Sequence, residues 1–222
     1  VTLPPEALGA RPSKLENHKM QLAFTNANVF RAVLLAGALS ATALAGPPLV
    51  CHPFDISGSE SLPWGNGWDH ADPAYDRTHL AIDTLAILTP QTPVLVRMET
   101  LRRAALYATE NPAQGYELLS RLLARSTAGD KLSLFDAGYL VETFKQAHQA
   151  HKPQLAGGID GQEWVAQAIR SGVGDTASME FAASLMESDM RPGHWPNDHA
   201  RRAQWGASGN SLLARNLKNF GL

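Results

Sequence analysis

Apolar residues recur at helical spacing through T-P-V-L-V-R-M-E-T-L-R-R-A-A-L-Y-A, residues 92–108. Val94, Met98, Leu101, Ala105 and Ala108 share one stripe of such a helix, because side chains three and four positions apart stack on one face. Thr92 stands where an N-cap belongs and Pro93 falls in the first turn, where a missing N–H costs nothing. Arg97, Arg102 and Arg103 lie off the stripe, and Glu99 precedes Arg103 by one helical turn. The spacing predicts a one-sided helix with its arginines on a solvated face, balanced by Glu99, Glu110 and Glu117. The sharper alternative puts these arginines with Arg121 and Arg125 along a groove for anions between two helices.

The same signal repeats along the chain. Thr78–Leu88 reads as a short helix ended by Thr89-Pro90. Asn111-Pro112 starts another, with Gln114 placed to close a capping box and Leu119, Leu122 and Leu123 facing inward until Gly129. Asp130 caps a helix over Lys131–His151. Its stripe of Leu134, Ala137, Val141 and Phe144, widened by Phe135, Tyr139 and Leu140, predicts a central position. Asp160 with Glu163 opens the next, carrying Trp164, Val165, Ala168 and Ile169. Asp175 opens one with Met179, Ala182, Ala183 and Met186. A Pro/Gly break at 190–197 precedes a last helical stretch ending at Phe220. Short connections favour antiparallel neighbours. The uneven spacing of the starts argues against a regular repeat array. The expected fold is all-α: an irregular array of antiparallel helical hairpins, solenoid-like or bundle, over residues 77–222.

Residues 46–76 break the pattern. P-P-L-V-C-H-P-F-D and S-L-P-W-G-N-G-W-D-H-A-D-P-A-Y-D hold too much proline and glycine for a helix and no alternation for a strand. Phe54, Trp64, Trp68 and Tyr75 make the segment too aromatic for a disordered linker. It reads as a long irregular arm that packs its aromatics onto the helical body.

Upstream, Arg31 precedes an apolar run, Ala32–Leu44, which closes on Ala43-Leu44-Ala45 and Gly46-Pro47-Pro48. A charged lead, a short apolar core and a small-x-small site are the parts of a secretory signal peptide. The run is shorter than the roughly 20 apolar residues of a bilayer span. Residues 20–45 are therefore expected to be a signal peptide, with translation starting at Met20 and residues 1–19 an unstructured gene-model extension. The protein is expected to be exported, periplasmic or extracellular in a bacterium, with 46–222 as its mature part.

A formal net charge of −2 leaves no cationic field for nucleic acid. Cys51 is the only cysteine, which excludes an intramolecular disulfide and leaves burial, a disulfide-linked dimer or ligation as its uses.

The segments C-H-P-F-D-I at 51–56, S-L-P-W at 61–64 and T-P-V-L-V-R-M-E-T-L-R-R-A at 92–104, with L-F-D-A-G-Y-L at 134–140 and L-L-A-R-N-L at 212–217, carry a resemblance. The chain resembles a group of uncharacterised exported bacterial proteins that hold these segments after a signal peptide. The resemblance implies export and a helical body; it brings no activity, cofactor or catalytic residue.

Candidate chemistry concentrates in the arm. Cys51, His52, His70 and His79, with Asp55, Asp69, Asp72 and Asp83, offer thiolate, imidazole and carboxylate ligands for a transition metal. The bland reading is an exposed loop whose aspartates set turns. C-H at 51–52 matches the end of a haem attachment sequence, but Pro48 stands where its first cysteine would be. His148 and His151 read as a solvated helix end, and His194, Asp198 and His199 as a surface turn. With no catalytic motif present, the expected function is a binding or scaffold protein engaging another protein through the arm or inter-helix grooves. The alternative is a small metal-binding protein or metalloenzyme.

Overall fold

The computed structural model of the protein describes residues 46–150, 158–187 and 197–222, the side chains of 148–150 excepted. The apolar run at 32–44, the start at Met20, His151 and His194 lie outside the described residues, as does the side chain of His148.

Helix formation follows the caps. A four-residue helix, α1 (Pro48–Cys51), interrupts the arm. A 3₁₀ turn at Arg77–His79 leads into α2 (Leu80–Ile87). Then come α3 (Val94–Ala108), α4 (Pro112–Thr127), α5 (Lys131–Ala150), α6 (Gly161–Arg170), α7 (Thr176–Glu187), α8 (Asp198–Gly206) and α9 (Ser211–Asn219). No strand occurs among the described residues; an isolated bridge joins Trp64 to Ala71. The fold is all-α.

Asp130, Asp160 and Asp175 cap as their spacing predicts. Asp130 accepts from the N–H groups of Leu132 and Ser133, Asp160 from Glu163 and Asp175 from Ser178. Two expected caps are absent. Thr92 turns its hydroxyl back to the Ile87 carbonyl and so seals the end of α2 instead of the start of α3. The side-chain oxygen of Gln114 is buried without a partner, and Asn111 alone caps α4. The last helical stretch is two helices: Asn210 breaks it by accepting from the Leu213 N–H as a new N-cap.

Helix α5 is central, as its wide apolar face predicts. It packs on α1, α3, α4, α6 and α7, and Phe135, Ala137, Tyr139, Leu140, Val141 and Phe144 are buried, while Leu134 is half-buried. The α5–α6 crossing is held close by Gly138 and Gly161. A Cβ on either glycine would lie 2.5 Å from the other's carbonyl oxygen. Glu142 accepts the Gly161 N–H at 2.9 Å there, fixing where α6 begins.

The solvated arginine face expected on α3 is overturned. Arg97, Glu99 and Arg102 are fully buried, and Arg103 is 19% exposed. The arm and its neighbours cover this helix on the side the stripe leaves polar. Leu49, Phe54 and Leu62 of the arm join the core, each worth about 1.5–3 kcal/mol of burial. The arm is part of the body.

Candidate functional site

Every buried charge on α3 has an opposite charge or a backbone group to answer it, as a low-dielectric interior requires. Arg97 pairs with the buried Asp136 of α5 at 2.5 Å and donates to the carbonyls of Thr89 and Thr92. Burial pushes the Asp136 carboxyl up to about 7, against the opposing pull of Arg97. Glu99 accepts from Arg102, from Arg103 and from the Phe54 N–H. Arg102 also donates to the carbonyls of Val50 and Trp68, and its guanidinium lies 5.2 Å from the Trp64 ring centroid. Arg103 holds the Leu62 carbonyl at 2.6 Å. The Tyr107 hydroxyl donates to Pro63 and accepts from the Asp72 N–H. The remaining arginines of the proposed groove are used elsewhere. Arg121 pairs with Glu117 on the surface, and Arg125 donates to the carbonyl of Leu85 in α2 and to that of Leu88, its C-cap.

The metal candidates of the arm sit in different settings. Cys51 is half-buried; desolvation raises its thiol pKa, with Arg102 pulling it down and Asp69 pushing it up. His52 packs edge-on against Phe220, and burial and then Arg102 lower its pKa. Its Nε2 is buried without a partner. His70 is exposed, 3.5 Å from Asp69, and His79 is exposed at the start of α2. Asp55 binds Arg215 and accepts from the Ser57 N–H, Asp72 accepts the Ala74 N–H, and Asp83 accepts the Tyr75 hydroxyl. Among the described residues, no three His, Cys, Asp or Glu side chains converge as metal ligands would.

A different feature has the form of a binding site. A cleft of about 230 Å³ opens between the first turn of α6, the last turn of α7 and the first turn of α8. Its apolar floor is Ala166, Ala183 and Met186; Asp160, Glu163 and Glu187 bring carboxylates to it, with Gln162 and His199 between. Among the described residues, no lysine or arginine lines it. His199 belongs to this wall, which corrects its expected place in a surface turn. One ring nitrogen meets Glu180 and the other lies 3.2 Å from Glu187, so the imidazole ties α8 to two positions of α7. Arg202 completes the tie by donating to Glu180 at 2.7 Å. Sequence reading missed this group because its members are brought together only when α7 and α8 pack.

No family model, curated protein or solved structure matches the chain. The functional assignment therefore rests on the chemistry of its own residues.

Proposed function

We propose that this chain is an exported binding protein that engages another protein through the inter-helix cleft at α6, α7 and α8. The observation that carries this reading is the cleft itself, a concave site where polar side chains from three helices meet the apolar Ala166, Ala183 and Met186. The arm is the weaker candidate for the contact. Its backbone is held by Glu99, Arg102, Arg103 and Tyr107, and Leu49, Phe54 and Leu62 are already spent on the core. The apolar run at 32–44 with its small-x-small end supports export.

Filling the cleft tests the proposal without touching the buried charges. Ala166 is half-buried at the floor, so Ala166→Trp occupies the space with an indole. The protein and this variant, both confirmed folded by circular dichroism, are immobilised and exposed to periplasmic extract. The expected result is a species retained by the native chain and lost with the variant. Equal retention by both, or none by either, would sink the proposal.

A further inference from the structure

We propose that Asn66 is a modification site, where the folded protein loses the side-chain amide to water and gains a carboxylate, chiefly as isoaspartate. Of the asparagines among the described residues, Asn66 alone precedes a glycine. Both residues are exposed, and among the described residues neither the Asn66 side chain nor the Gly67 N–H makes a hydrogen bond. The other asparagines are withheld from the same chemistry. Asn197 and Asn210 spend their side chains on caps, and Asn216 is buried against Asp55. Asn111 precedes Pro112, which has no N–H to react. Asn219 precedes Phe220, whose N–H is already taken by the carbonyls of Asn216 and Leu217.

The reaction needs water alone. The Gly67 nitrogen attacks Cγ of Asn66; an N–Cγ bond forms as the bond from Cγ to the amide nitrogen breaks, and that nitrogen leaves as ammonia with the Gly67 proton. A five-membered imide closes in the main chain. Water then opens it at either carbonyl, and nothing is oxidised or reduced. Opening at Cγ leaves aspartate. Opening at the main-chain carbonyl leaves isoaspartate, with the chain running through Cβ and Cγ. The main-chain carbonyl sits beside the Cα that bears an amide nitrogen, which makes it the more electrophilic of the two and isoaspartate the larger product. A bulky side chain on the following residue would hinder the attack, and glycine has none. The turn also requires that glycine: Gly67 stands at φ +112°, where a residue with a side chain is strained.

The product does not fit the loop that makes it. Gly65 donates to the His70 carbonyl, the Trp64 indole N–H reaches the Gly67 carbonyl at 2.8 Å, and the Trp68 carbonyl takes Arg102 at 2.8 Å. Isoaspartate lengthens the main chain inside these ties. A hydrogen bond weakens steeply off its preferred length and angle, so the Trp64–Gly67 bond is lost and the hold of Arg102 on Trp68 loosens. The modification unhooks this part of the arm from α3.

Incubation of the folded protein in warm, mildly alkaline heavy-oxygen water tests this, with digestion afterwards in ordinary water. Water that opens the imide leaves its oxygen in the new carboxylate, so the label marks only what formed during incubation. The expected result is label that grows with time in the tryptic peptide ending at Arg77, placed at position 66 by fragmentation, with isoaspartate in excess. Asn66→Gln should stay unlabelled over the same interval, because its longer side chain must close a larger ring. If position 66 of the folded chain keeps its amide while the chain in urea loses it, the fold holds Asn66 away from the Gly67 nitrogen and the inference is overturned. Label that Asn66→Gln does not remove overturns it as well, as does its absence from both samples. Limited proteolysis reads the consequence: aged native protein should be cut between Pro63 and Asp72 sooner than fresh protein, and aged Asn66→Gln no sooner than fresh. Modified protein as resistant as fresh protein would overturn the unhooking.

Discussion

Gly138 of α5 and Gly161 of α6 each occupy the space in which the other's Cβ would stand, and the backbones meet there without side chains between them. Their contact fixes the first turn of α6, and with it Asp160, Gln162 and Glu163 at the cleft.

Gly138→Ala should therefore push α6 away from α5. The added methyl meets the Gly161 carbonyl at 2.5 Å and side-chain atoms of Val165 and Trp164 at about the limit of contact. Overpacking of this kind costs about 1–3 kcal/mol. A urea titration should show a lower midpoint with an unchanged slope, whereas Gln167→Ala on the exposed face of α6 should leave the midpoint in place. An unchanged midpoint in Gly138→Ala would mean that the helices have room to separate.

The α3 charges make a second prediction. Arg102→Met leaves Glu99 short of a partner in the core and frees the carbonyls of Val50 and Trp68. Removing one side of a buried pair costs about 3–5 kcal/mol. Glu99→Gln combined with Arg102→Met should cost less than the sum of the two single changes, because the residues are in direct contact. Limited proteolysis should cut the Arg102→Met protein first between Pro63 and Asp72, where the arm loses its anchor.

Asp136 sets a dependence on pH. Its carboxyl holds a proton up to about 7 when folded, against a usual value near 3.8. The folded state thus binds more protons than the unfolded one between those values. Its contribution to stability is whole below the lower value and is lost as the pH rises through the upper one. Urea midpoints measured from about pH 4 to pH 8 should decline more steeply for the native chain than for Asp136→Asn. Parallel curves would show that Asp136 titrates alike in both states.

The clasp between the arm and the C-terminus gives a fourth. Phe54 and Phe220 are both 4% exposed and stack with centroids 5.2 Å apart. Asn216 brackets Asp55 by accepting its N–H and donating to its carbonyl. Phe54→Ala and Phe220→Ala should each cost about 3–5 kcal/mol, and a double-mutant cycle should return a coupling of about 0.5–1.5 kcal/mol. Additive losses would leave the stacking without energetic content.

What could be read from the sequence follows the reach of each interaction. Asp130, Asp160 and Asp175 were legible because a cap and the N–H it serves lie within three residues. The centrality of α5 was legible because a helix apolar over most of its girth has nowhere else to go. Arg97, Glu99 and Arg102 misled because what surrounds them comes from elsewhere in the chain, Asp136 and residues 50–68. An off-stripe arginine on a solvated face and one under a returning segment have the same spacing. His199 was illegible for the same reason, its carboxylates being carried by α7. Asn210 carried a readable signal: an Asx after Gly209 marks a new helix start inside an apparently single stretch.

The arm is gripped by its backbone. Arg102 and Arg103 hold the carbonyls of Val50, Leu62 and Trp68, and Tyr107 holds that of Pro63. Every residue type presents that oxygen, so these contacts do not depend on which side chains the arm carries. The outward-facing positions between them, such as Glu60, Asn66 and Trp68, can drift in sequence while the path of the chain stays set by three residues of one helix. The exterior of this region is free to diversify over an interior that is not.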